Sequence, residues 1–284
     1  MADMENKKLK TMVKELESMA AKNRGRIVQM SHHSRAAHLG SALSCVDILV
    51  ALYFSVLQLD KEKSDSLKRD RFILSKGHAA TALYTVLAFR GIIDMDLLDT
   101  YCLPGSILED HPGPSTIPGV EAATGSLGHG LSLGTGMALA NRIQKINNKI
   151  IVLASDGECN EGSVWEAAMF ASGQKLNNIT IIIDFNKWQA TARSCDVLGI
   201  EPLVEKWKAF GFKTFEIDGH NMEEIVETLL DIQKGFDGPY AVIAHTIKGK
   251  GVSFMEDDNN WHYRVPDEKD VQMALKELER SKDE

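Results

Sequence analysis

The stretch KIIVLASDGECNEGSVWEAAMFASGQKLNNITIIIDFN, residues 149–186, decides the fold. Lys149–Ser155 and Ile179–Phe185 are apolar runs almost without alternation, as expected of strands covered on both faces. Glu161–Leu176 between them has the length and spacing of a helix. A strand, a helix and a second strand make a right-handed crossover and a parallel pair. The lengths agree: a helix of about 16 residues runs back about 24 Å, and seven strand residues return about 23 Å. Asp156 and Asn186, 30 positions apart in sequence, therefore emerge together at one rim of the sheet. Ligands bind beyond the carboxyl ends of strands in open parallel sheets.

Working outward, the same alternation continues. Lys213–Asp218 reads as a strand, Met222–Ile232 as a helix and Tyr240–Ile247 as a strand, with a closing helix at 267–280. On the other side, Arg71–Ser75 is a short strand delivering Lys76-Gly77-His78, followed by a helix over Ala79–Arg90. Ser44–Val56 reads as one buried helix. Residues 5–24 form a charged amphipathic helix with Leu9, Met12, Val13, Leu16 and Met19 at helical spacing. The expected fold is α/β: a doubly wound, mostly parallel sheet flanked by helices, in one domain over 1–284. Residues 103–136 are rich in proline and glycine and end in TGSLGHGLSLGTG. They read as a long loop whose glycines permit close backbone approach.

Composition excludes several classes. The chain has 284 residues, 44% hydrophobic and 25% charged, a globular balance that needs neither disulfides nor a structural metal. A formal charge of −8 weighs against nucleic acid and anionic membranes as partners. Cys45, Cys102, Cys159 and Cys195 are widely spaced, with no CxxC pair. That excludes a zinc knuckle or thioredoxin motif and suits a reducing, cytoplasmic setting. The charged start MADMENKKLK is no signal peptide. The most apolar stretch, Val46–Leu59, is too short to span a bilayer.

At the rim, an Asp carboxylate and an Asn amide oxygen are hard ligands suited to Mg²⁺ or Ca²⁺. Gly157 leaves room for a diphosphate, and a helix opening near Glu161 points its N-terminus there. An Asp-Gly turn with an N-capping Asn accounts for the same residues equally well on spacing alone.

Residues 155–186 resemble the thiamine-diphosphate signature: Asp-Gly, about thirty residues, then Asn after an apolar strand. AAHLGSA around His38, DRFILSKGH ending at His78, DHPG around His111, PGVEAATGSLGHGLS (118–132), IDGHN (217–221), and IAHTIKGKGVSFMED (243–257) with Trp261-His262 resemble transketolase motifs, in order, over almost the whole chain. The resemblance is to the cofactor-diphosphate-binding half of a transketolase, and it implies the N-terminal subunit of a split enzyme.

The resemblance implies roles residue by residue. Asp156, Asn186 and the Trp188 carbonyl would hold Mg²⁺, with Ca²⁺ as an alternative. Gly157 and Glu158 would line the diphosphate, and Gly125 and Leu127 would lie against the cofactor. His129 stands where full-length transketolases usually carry Gln. His38, His78 and His111 would move protons at substrate oxygens, and His262 would contact the diphosphate or the substrate end. Glu161 resembles a carboxylate in an acid network between paired active sites. The glutamate that activates thiamine diphosphate belongs to the family's other domain and has no match here. The implied partner is a separate chain with the pyrimidine-binding and C-terminal domains, in an α2β2 assembly acting on sugars or sugar phosphates.

Lys248 and Lys250 read either as phosphate contacts or as a solvated loop, and His220 as a turn or cap. Ser155, Gln189-Ala190-Thr191 and Tyr263 depart from the family pattern at the rim. Two other functions compete: the alpha subunit of a 2-oxoacid dehydrogenase, and a non-catalytic module that binds cofactor or partner.

Overall fold

A computed structural model describes residues 2–59, 66–113, 117–235 and 237–280, with the side chains of 2–6 left aside. Five strands, β1 Arg71–Leu74, β2 Ile150–Ser155, β3 Ile179–Phe185, β4 Lys213–Asp218 and β5 Tyr240–His245, form one sheet of order β1-β2-β3-β5-β4. Every pairing is parallel, and Ser155 sits opposite Asp184. Ten helices surround it: α1 Ala2–Ser34, α2 Leu39–Ser44, α3 Val46–Ala51, α4 Ala80–Phe89, α5 Gly130–Gln144, α6 Gly162–Gly173, α7 Ser194–Val197, α8 Leu203–Ala209, α9 Met222–Gln233 and α10 Glu268–Arg280.

The strands are buried on both faces because alternate side chains enter different cores. Ile151, Leu153, Ile182 and Val242 join the core built with α1, α3, α4 and α9. Ile150, Val152, Ile181 and Ile243 join the core built with α5, α6 and α8. The sheet is thus doubly wound, as the apolar runs required.

Three expectations change. The amphipathic helix expected at 5–24 extends over Ala2–Ser34. The Ser44–Val56 helix is broken at Cys45, whose ψ of 8° lies outside the helical well, and it closes with a π-helical turn over Leu52–Val56. The glycine-rich run is a loop only as far as His129; from Gly130 it is α5. Gly134 explains the helix: a Cβ there would meet Val152 Cγ2 at 2.7 Å, so hydrogen at that position lets α5 lie against the sheet.

Candidate functional site

The carboxyl ends of the strands assemble the site. His78 follows β1, Asp156 follows β2, Asn186 follows β3, and Thr246 and Lys248 follow β5. The Asp156 N–H donates to the Asp184 carbonyl at 3.3 Å, which joins the β2 and β3 exits as the crossover lengths predicted.

Asp156 is fully buried. Its Oδ2 accepts from Ser194 Oγ at 2.6 Å, whereas Oδ1 has no hydrogen-bond partner among the described residues. Burial, followed by the charge of Asp184, pushes its carboxyl up to about 6. An unpartnered buried carboxylate oxygen fits a hard cation, which would remove the cost of that charge. Asn186 Oδ1 accepts from the Trp188 N–H at 3.0 Å, and its Nδ2 donates to Asp184 Oδ2 at 3.1 Å. Gly157 lies under Gln189, whose Cγ would be 3.0 Å from a Cβ at that position.

Beneath this rim lies an ion pair absent from the sequence reading. Lys76 and Asp184 are both fully buried, and Lys76 Nζ donates to Asp184 Oδ2 and to the Ser41 carbonyl at 2.8 Å. Ser44 Oγ, at 2.7 Å, and Thr246 Oγ1 also donate to Asp184. Burial opposes the Asp184 charge, yet Lys76 and these hydrogen bonds hold its carboxyl below the usual range. A charged residue inside ITIIIDF was the available signal, because a buried charge needs a partner.

Four histidines converge. The His38 ring centroid lies 5.8 Å from that of His78, 5.5 Å from His111 and 5.0 Å from His262. His38 occupies a left-handed conformation, φ 68°, before α2, and its N–H donates to the His262 carbonyl at 2.8 Å. A non-glycine residue held there reflects local constraint of the kind that clusters at functional sites. Burial, then the charge of Lys76, takes His78 well below the ordinary histidine range. Burial, then Lys248, lowers His262 to about 3. Both are neutral imidazoles at working pH, able to hold or pass a proton.

Asp110 was missed although it adjoins His111. Its Oδ2 lies 3.3 Å from His111 Nδ1 and 3.5 Å from His38 Nδ1, and Tyr101 OH donates to its Oδ1 at 2.9 Å. The two imidazoles hold its carboxyl well below the usual range. Lys248 is a site residue rather than part of a solvated loop: it is buried, and its Nζ contacts Asn259 Oδ1 at 2.6 Å and His262 Nδ1 at 3.2 Å. Lys250 instead pairs with Glu256 at 3.5 Å.

Glu158 differs from the expected diphosphate lining. Its carboxylate is fully buried and turned inward, accepting from Ser75 Oγ, from the Gly128 N–H at 2.7 Å and from the Ser155 N–H at 3.4 Å. Gly125 packs on the ring of His111, and its neighbour Thr124 crowds Gly77. His129 is exposed at the start of α5, its Nδ1 within 3.1 Å of the Leu127 carbonyl. Glu161 is exposed at the N-cap of α6, beside Gly128, with no described contact to the histidines. His220 is buried rather than a simple turn feature. Its Nδ1 meets Asp47 Oδ2 at 2.7 Å, Arg24 grips the same carboxylate, and its Nε2 accepts from the Ile247 N–H at 2.8 Å.

A doubly wound sheet with this polar rim and histidine cluster defines a phosphate-ligand-binding α/β domain. The transketolase thiamine diphosphate binding domain family matches residues 17–281. One of the two chains of an apulose-4-phosphate transketolase, from Phocaeicola vulgatus, is 42% identical over 94% of this chain and 94% of its own length. The corresponding chain of a 6-deoxy-6-sulfo-D-fructose transketolase, from a Clostridium species, is 40% identical over 86% of this chain and 88% of its own. The crystal structure of Campylobacter jejuni transketolase superimposes with a TM-score of 0.82 at 26% identity, covering 94% of this chain and 47% of that one. The chain belongs to the transketolase family and represents its thiamine-diphosphate-binding part, with the length of the N-terminal chains of split transketolases. Among the described residues no helix is long and apolar enough to cross a membrane.

Proposed function

We propose that this chain supplies the cofactor-diphosphate half of a two-subunit transketolase, which moves a two-carbon ketol unit from a ketose or ketose phosphate to an aldose. The observation that carries the reading is the buried Asp156 Oδ1, left without a partner at the rim that also holds Asn186. Asp156, Asn186 and the Trp188 carbonyl would hold Mg²⁺, with Gly157, Gly125, Leu127, His129 and His262 around the cofactor. Glu158 acts through the loop it holds rather than through its carboxylate.

Thiamine diphosphate, when bound, supplies the carbon nucleophile for breaking and remaking the bond beside a ketose carbonyl. The residues of this chain do the rest. His38, His78 and His111 take and return protons at carbonyl and hydroxyl oxygens, which neutral imidazoles do efficiently near neutral pH. Asp110 orients His38 and His111, and the buried walls around Lys76 exclude water. Glu161, exposed beside α6, would face the second active site of the assembly. The remaining half comes from a partner chain with the pyrimidine-binding and C-terminal domains, in an α2β2 enzyme. Four free cysteines fit a cytoplasmic location.

The test is cofactor binding by the assembled enzyme, followed calorimetrically with and without Mg²⁺. Asp156→Ala is expected to abolish the Mg²⁺-dependent part. Unchanged affinity would refute the metal assignment.

A further inference from the structure

We propose that His38, Asp110 and His111 form a second cation site, distinct from the Asp156–Asn186 rim, which takes a borderline transition-metal dication such as Zn²⁺. Two imidazole nitrogens and one carboxylate oxygen, His38 Nδ1, His111 Nδ1 and an Asp110 oxygen, all lie within 4.8 Å of one another. Two imidazoles and a carboxylate with an open fourth position is a zinc donor set, whereas Mg²⁺ favours oxygen alone.

The distances discriminate between two readings. A carboxylate hydrogen-bonded to an imidazolium sits at about 2.7–2.9 Å. Asp110 Oδ2 stands at 3.3 Å from His111 Nδ1 and 3.5 Å from His38 Nδ1. The edge of a tetrahedron around zinc, with bonds of about 2.0–2.1 Å, is about 3.3–3.4 Å. The two measured edges bracket that value, and rotation of either imidazole closes the third. His38 Nδ1 is buried and makes no hydrogen bond, so a metal would satisfy an atom that the protein leaves bare. Tyr101 OH already holds the other Asp110 oxygen at 2.9 Å, the kind of outer contact that orients a metal-binding carboxylate. Asp110 and His111 are each 38% exposed, which gives the ion a way in.

The consequence for catalysis, which alone rests on the proposed function, is inhibition. A zinc ion here withdraws His38 and His111 from the sugar oxygens and blocks the substrate end of the cavity.

The test is titration of Zn²⁺ into the full chain, stripped with a chelator and held in excess Mg²⁺. The readouts are calorimetry and the visible spectrum of the Co²⁺-substituted form. Neither needs the partner, the cofactor or a sugar, so the result stands apart from the transfer reaction. One zinc per chain and a tetrahedral cobalt spectrum are expected. Asp110→Asn and His111→Ala should each weaken binding at least about 100-fold. Tyr101→Phe should cost about 10- to 100-fold, while Asp156→Ala and His129→Ala leave it unchanged. Far-UV circular dichroism confirms that each variant is folded. Binding that survives both Asp110→Asn and His111→Ala, or that disappears in Asp156→Ala, overturns the site.

Discussion

Replacing Lys76 by Met tests whether the rim rests on one buried ion pair. Lys76 and Asp184 have no solvent exposure. The same substitution at an exposed pair would cost about 0.2–1 kcal/mol. Here it strands a carboxylate that is hydrogen-bonded to Ser44, Thr246 and Asn186 and cannot reach water. Breaking a buried pair from one side costs about 3–5 kcal/mol. For a chain of this size that lowers Tm by about 6–20 °C. Urea melts of Lys76→Met, Asp184→Asn and the double variant close a cycle, and a coupling energy above about 2 kcal/mol is expected. Because Asp184 also holds the Asn186 amide, Mg²⁺ binding should weaken alongside stability. A loss below about 1 kcal/mol, with equally small coupling, would refute the reasoning by showing that water reaches the pair.

His262 supplies a pH signature. Its folded value is about 3 against an ordinary 6.5, so its contribution is fully present above pH 6.5 and is lost as pH falls towards 3. After allowance for residual solvent screening, about 2 kcal/mol of acid lability should vanish in His262→Gln, read as a flatter stability profile between those limits. In α5, Gly134→Ala should destabilise by about 1–3 kcal/mol by overpacking against Val152, whereas Gly136→Ala, exposed and with nothing within 4 Å of its Cβ, should gain about 0.5–1 kcal/mol of helix propensity; thermal melts compare them. In the assembled enzyme, His78→Ala should lower turnover about 10²- to 10⁴-fold with cofactor affinity near normal. Loss of binding alone would count against a substrate role.

The parts of the fold legible in the sequence were those set by local pattern. IIVLAS and ITIIIDF announced strands buried on both faces, and helix and strand lengths alone brought Asp156 and Asn186 to one rim. What escaped depends on partners distant in sequence. Nothing in GHGLSLGTG signals a helix, because Gly130, Gly134 and Gly136 are poor helix formers; the demand for close packing on Val152 comes from the sheet. Lys76, Asp110, Lys248 and His220 read as surface or turn residues until Asp184, the histidines and Asp47 stand beside them. Glu158 was assigned by motif position, but its environment is a set of inward N–H and O–H donors that only the tertiary arrangement reveals.

That environment has its own consequence. The Glu158 carboxylate gathers Ser75, Gly128 and Ser155, contributed by the exit of β1, the glycine run and the exit of β2. None of these segments can open without uncovering the donors of the other two. The rim should therefore melt as one cooperative unit, with the Gly128 and Ser155 amides exchanging their hydrogens at a common rate. Evolution faces the same bond: a change in any one of the three loops must be accepted by all of them together.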